Sequence, residues 1–184
     1  MKLHYTHNIL NIVTVITVTM FFSCNNNLND VSGLDISQNE PIGVSYNTNT
    51  VYTDSGKVKA VLISPKILNY SNRDFPFYEF PEGIVLDLFD DDNKKSVVVA
   101  DYAINYLEAD LIDLQGNVVI ATQDNDTLYA EQLYYYQKKE WLFTNKPVTF
   151  RTGLNVINGN GFDSNSKLTN AEVLEINGFV TLDE

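Results

Sequence analysis

Residues 114–150 read LQGNVVIATQDNDTLYAEQLYYYQKKEWLFTNKPVTF, and the fold class turns on them. Val118 and Ile120 fall on one face of an extended chain, as do Val148 and Phe150 at the far end. Between these pairs, Gln123-Asp124-Asn125-Asp126 is a run of turn formers. Period-two alternation interrupted by such clusters predicts strands joined by tight turns, because successive side chains of a strand point to opposite faces.

The same pattern extends in both directions. Upstream, Ile112 and Leu114 continue through Gly116 into Val118 and Ile120; Ile84, Leu86 and Leu88 oppose Asp87; Val58, Ala60 and Leu62 oppose Lys57 and Lys59. Downstream come Leu174, Ile176, Val180 and Leu182. Turn clusters stand at Asp54-Ser55-Gly56, Asp90-Asp91-Asp92-Asn93 and Asn158-Gly159-Asn160-Gly161. No stretch offers a long amphipathic helix with caps, so the chain is read as all-β, with its domain over residues 51–184.

A weak internal repeat sharpens the architecture. Ala100-Asp101, Tyr106 and Gly116-Asn117-Val118 recur about 30 residues later as Ala130-Glu131, Tyr136 and Lys146-Pro147-Val148. A third, shorter unit runs from Gly161-Phe162 to Asn177-Gly178-Phe179-Val180. A pair of strands cannot bury its apolar face alone, so stacked units share one interior and leave open ends.

The ordered combination of Ala100-Asp101, Gly116-Asn117-Val118, Leu128 with Ala130-Glu131 and Leu133, Pro147-Val148 and Gly159-x-Gly161 resembles the LptC family, within the wider group of OstA-like proteins. The resemblance covers about residues 51–180. It implies a twisted, open-ended antiparallel β-jellyroll whose apolar interior holds the lipid A acyl chains of lipopolysaccharide. It also implies two partners docked edge to edge: the inner-membrane ABC transporter that exports the lipid, and a periplasmic LptA-like bridge protein. On this reading the even-numbered apolar positions line the groove, namely Val58, Ala60, Leu62, Ile84, Leu86, Leu88, Ile112, Leu114, Val118, Ile120, Val148, Phe150, Leu174, Ile176 and Val180. The function implied is transport of lipopolysaccharide from the inner to the outer membrane, without chemistry of its own and with no cofactor.

Composition narrows the classes further. The net charge is −12, and the only arginines are Arg73 and Arg151, so no basic face is available to neutralise nucleic acid or clamp an acidic head group. Both histidines, His4 and His7, precede the expected cleavage point, which removes Ser-His-Asp, Cys-His and His-ligated zinc chemistry from the mature chain. There is no Gly-x-x-x-x-Gly-Lys-Ser/Thr loop, so ATP hydrolysis belongs to a partner. Asp101 and Glu131 could be imagined as a glycosidase pair, but their equivalent repeat positions favour a recurring structural role. The Asp90–Asn93 cluster lacks the glycine and glutamate of a calcium loop and is read as a solvated turn. Tyr134-Tyr135-Tyr136 and Trp141 are read as aromatics packing across the sheet.

The amino terminus carries a separate signal. As a helix, Ile9–Phe22 would extend roughly 21 Å at about 1.5 Å per residue, short of a hydrocarbon core of about 30 Å. Lys2, this run and Ser23 fit a signal peptide over residues 1–23, and Phe21-Phe22-Ser23-Cys24 resembles the lipobox of bacterial lipoproteins. Cys24 is the single cysteine, which in an exported chain cannot form an internal disulfide, so it is the expected lipidation site. Several acyl chains there would hold the protein at a membrane, the inner one favoured, with residues 24–50 as a polar tether. Well-known relatives use a transmembrane helix instead, so any regulatory role of that helix does not carry over. The rival to transport is a lipid-anchored structural or adhesion β-domain of the envelope.

Overall fold

A computed structural model describes residues 40–90 and 92–177. Cys24 with its signal, and Val180 with Leu182, lie outside the described residues. Contacts divide the chain between Gln38 and Asn39, and everything below concerns the second unit.

The strands are β1 (Gly43–Asp54), β2 (Lys57–Tyr70), β3 (Phe77–Phe80), β4 (Ile84–Phe89), β5 (Lys95–Ala100), β6 (Tyr102–Tyr106), β7 (Leu111–Ala121), β8 (Thr127–Tyr136), β9 (Trp141–Thr152), β10 (Asn155–Asn165) and β11 (Glu172–Val173). Among the described residues the helical content is one 3₁₀ turn, Gln137–Lys139. All strands belong to one antiparallel sheet, as the alternation predicts. But Asn158-Gly159-Asn160-Gly161, read as a turn, lies inside β10, where its glycines admit close approach of the chain that follows.

That sheet folds into two leaves because several strands serve both. The early half of β2 pairs with β4 through Ala60–Ile63, and its late half pairs with β3 through Leu68–Tyr70. Likewise β7 pairs with β6 through Leu111–Gln115 and with β5 through Val119–Ala121. The first leaf therefore contains β4 and β5, the second β3 and β6, and the long strands cross a crease between them. At the crease β7–β8, β8–β9 and β9–β10 each change register. Bulges of this kind bend a strand and increase its twist.

The repeat read from the sequence marks this crease. Gly116-Asn117, Lys146-Pro147 and Gly161 all sit at it, so the repeat records where each strand must turn from one leaf to the other. Gly116 (φ 72°) and Asn117 (φ 45°) take left-handed conformations that favour these residue types. Hydrogen bonds pin the fold line: Ser64 Oγ donates to the Gly83 carbonyl at 2.9 Å, the Asp101 amide donates to the Gly116 carbonyl at 2.9 Å, and Asn117 Nδ2 donates to Asp101 Oδ2 at 2.6 Å.

The core lies between the leaves. Phe80, Ala103, Leu114, Leu133, Leu142 and Phe162 come from the second leaf, Ile84, Val98, Val118, Ile120, Leu128, Val148 and Phe150 from the first. At one end of the sheet β1 pairs with β2 alone; at the other, β10 is followed by the short β11 and a bridge between Gly159 and Ile176.

The structure corrects one boundary. Gly43–Thr50, read as tether, is strand. Its Asn, Thr and Ser residues lack an apolar period because β1 is an exposed edge, held by backbone bonds to β2 rather than by burial.

Candidate functional site

The inner face of the first leaf is a set of cross-strand rows. One row runs Leu62, Leu86, Val98, Ile120, Leu128, Phe150 and Ile157. Another joins Val118, Ala130, Val148 and Gly159, beside Ile84 and Ala100. The alternation in the sequence thus resolves into registered neighbours, which is the arrangement that stabilises a sheet face.

Six of the predicted groove residues, Ile84, Leu86, Leu88, Ile112, Leu114 and Ile120, line one apolar cavity of about 40 Å³ together with Ser96, Val98, Tyr135, Leu142 and Ser166. Val118, Val148 and Phe150 are buried in the same core without lining it, and Leu62 packs against it. Ala60 is half-buried, opposite Leu88. Val58, Leu174 and Ile176 are placed differently, at the margins of the sheet and 39%, 36% and 53% exposed. Val180 lies outside the described residues.

Parity is where the sequence reading fails. In β8 the inward residues are Leu128 and Ala130 before the crease but Leu133 and Tyr135 after it; in β10 they are Gly159 and then Phe162 and Ser164. The register changes flip the pleat within one strand, so a rule of even-numbered positions loses Ala103, Leu133 and Tyr135. The signal that could have found them was the repeat itself, which placed Glu131 and Gly161 at the bend.

The cavity is not sealed. Leu88, Ser96, Tyr135 and Ser166 also line an opening of about 270 Å³, walled by Lys59, Asp90, Lys94, Thr122, Gln123, Asp124, Glu140, Lys167 and Thr169. This mouth lies opposite the crease, where the turns after β4, β7, β8 and β10 meet. Polarity is therefore graded, from aliphatic at the crease, through hydroxyls, to ammonium and carboxylate groups at the rim. The low count of cations in the sequence concealed three lysines gathered there. Tyr135 stands at the transition; burial pushes its phenol pKa above the ordinary value, with Glu140 adding to the effect.

The other aromatics of the run face outward. Tyr134 stacks on its cross-strand neighbour Phe143 with centroids 5.3 Å apart, and Trp141 Nε1 donates to Asp163 Oδ1 at 3.0 Å. Beside them Asp113 is buried, each carboxylate oxygen accepting from a glutamine, Gln115 at 2.7 Å and Gln132 at 2.8 Å. Asp101 is engaged at the crease and Glu131 is exposed on the outer face. Asp90 Oδ1 accepts from the amides of Asp92 and Lys94, closing its turn. A hollow of about 470 Å³ lies against Asn117, Val119, Tyr129, Glu131, Thr149 and Asn158 and is open to solvent.

The family of LptC-related lipopolysaccharide-assembly proteins matches residues 12–178, nearly the whole chain. The chain belongs to the LptC family. Membership assigns it to lipopolysaccharide transport, in a family of periplasmic, envelope-associated components, and agrees with the jellyroll described above. No curated protein matches the chain significantly. Among the described residues no helix is long and apolar enough to cross a membrane.

Proposed function

We propose that this LptC-family chain receives lipopolysaccharide from an inner-membrane ABC transporter, holds its acyl chains between the two leaves, and passes it to an LptA-like bridge protein. The observation that carries this reading is the graded interior: an apolar cavity that opens through hydroxyls onto a charged rim, matching the profile of an amphiphile. Acyl chains enter from the mouth toward the crease and the sugars stay in solvent.

The cavity of about 40 Å³ has room for about one water-sized group, at about 30 Å³ each. Loading therefore requires the leaves to part at the mouth while the hydrogen-bonded crease acts as the hinge. Separating them exposes Ile120, Leu142 and their neighbours, and acyl methylenes re-cover that area at about 25 cal/mol per Å². Because guest contacts replace protein contacts, net binding stays modest, as a relay between modules needs.

The two sheet ends serve docking. An unpaired edge presents backbone N–H and C=O groups that a partner strand completes. β1 offers such an edge with Val44, Tyr46, Val51 and Tyr52 exposed along it. Cys24, lipidated, would tether the domain to the membrane, and the energy comes from the transporter's ATP hydrolysis.

The reading is tested by affinity purification of the chain from solubilised inner membranes. Co-purification of an ABC transporter, and arrest of lipopolysaccharide before the outer membrane on depletion of the chain, are expected. Normal lipopolysaccharide delivery after depletion contradicts the proposal.

A further inference from the structure

One inner row of the second leaf breaks the apolar pattern. It runs Tyr78, Asn105, Ile112, Tyr135, Leu142 and Ser164 across β3, β6, β7, β8, β9 and β10. Ser164 is completely buried, and among the described residues its Oγ has no hydrogen-bond partner; the Oδ1 of Asn105 is likewise buried and unpartnered among them. Each sits directly opposite a residue that lines the cavity, Asn105 beside Ile112 and Ser164 beside Leu142.

Burying a polar atom without a partner costs stability, and alanine at 164 or leucine at 105 would remove the cost. Neither atom contributes a hydrogen bond to the fold among the described residues, and the strands pair through their backbones. By contrast the buried Ser64 and Asp113 are satisfied. An acceptor and a hydroxyl flanking an apolar cavity are the complement of a guest that brings its own oxygen.

We propose that the second leaf recognises acyl chains bearing an oxygen substituent, a hydroxyl or an ester close to the head, in preference to unsubstituted chains. The inference rests on the reading that the interior holds acyl chains. Asn105 Oδ1 accepts from a chain hydroxyl, Ser164 Oγ donates to a chain hydroxyl or carbonyl, and Ile112, Tyr135 and Leu142 cover the methylenes between. A site built to pair with a hydroxyl discriminates against the analogue lacking it, because its own polar groups are then left unpaired.

The test is competitive binding of 3-hydroxytetradecanoate and tetradecanoate to the purified full chain, read by native mass spectrometry. The hydroxylated chain is expected to bind about five- to tenfold better, the value of one net hydrogen bond. In Ser164→Ala, and further in Ser164→Ala with Asn105→Leu, the ratio falls toward one while the melting temperature holds or rises. Equal binding to the unaltered chain, or a preference that survives the double substitution, overturns the inference and leaves acyl binding intact. Absence of binding by either probe overturns the acyl reading and the inference with it.

Discussion

At the scale of single residues the crease is the most demanding place in the domain. Gly83 has φ 85°, and a Cβ there would lie 2.7 Å from the Ala100 carbonyl oxygen. Since backbone cannot yield as a side-chain tip can, Gly83→Ala is expected to cost about 1–3 kcal/mol in a denaturant titration, more than most surface substitutions. Gly116-Asn117 was legible as a marker of the repeat, within a strand that runs through it, and its residue types suit the left-handed bend it makes inside β7. Gly83 and Ser64 were not, since their need arises from a contact between segments far apart in the chain. Tyr102 was equally hidden: its hydroxyl donates to Glu79 Oε1 at 2.8 Å, and burial first, then that hydrogen bond, raise its pKa far above the ordinary 10. A phenol held protonated in the fold favours folding fully below pH 10, and its contribution falls as pH rises through the unfolded value toward the folded one. Stability measured by chemical denaturation should decline above about pH 10, and the decline should be shallower in Tyr102→Phe.

At the scale of elements, strands were readable where alternation runs unbroken against the core, and were missed where no face is buried or where a bend interrupts the period. β4 and β7 announced themselves through Ile84, Leu86, Leu88, Val118 and Ile120 because burial imposes the alternation. β1 did not, because both faces meet solvent and its sequence answers only to backbone pairing with β2. That exposure separates docking from stability. Val51→Lys should leave the melting temperature within about 0.5 kcal/mol equivalent of the parent, as surface changes do, yet weaken co-purification of the transporter if this edge carries the contact. Inside the sheet the expectation reverses. Leu142→Ala removes a buried side chain that walls the cavity and should cost about 2–5 kcal/mol. The parity flips in β8 and β10 were beyond any local pattern, since a one-residue slip is decided by how neighbouring strands cross the crease.

At the scale of the whole domain, the two leaves are pinned along one side by the hydrogen-bonded crease and meet on the other at a polar mouth. Composition had pointed away from head-group contact, because a net charge says nothing about where Lys59, Lys94 and Lys167 converge. Family resemblance carried the fold and the class of cargo, and the register of the rows says which residues face the interior between the leaves. The central claim, that cargo lies between the leaves, is tested most directly by photo-crosslinkers placed one residue apart on opposite faces of the same strands. Val118 and Phe150 face inward, Val119 and Thr149 outward. In cells exporting lipopolysaccharide, crosslinks to it are predicted at Val118, Phe150 and Ile112, and not at Val119 or Thr149. No capture at any inward position, or equal capture on both faces, would contradict the account.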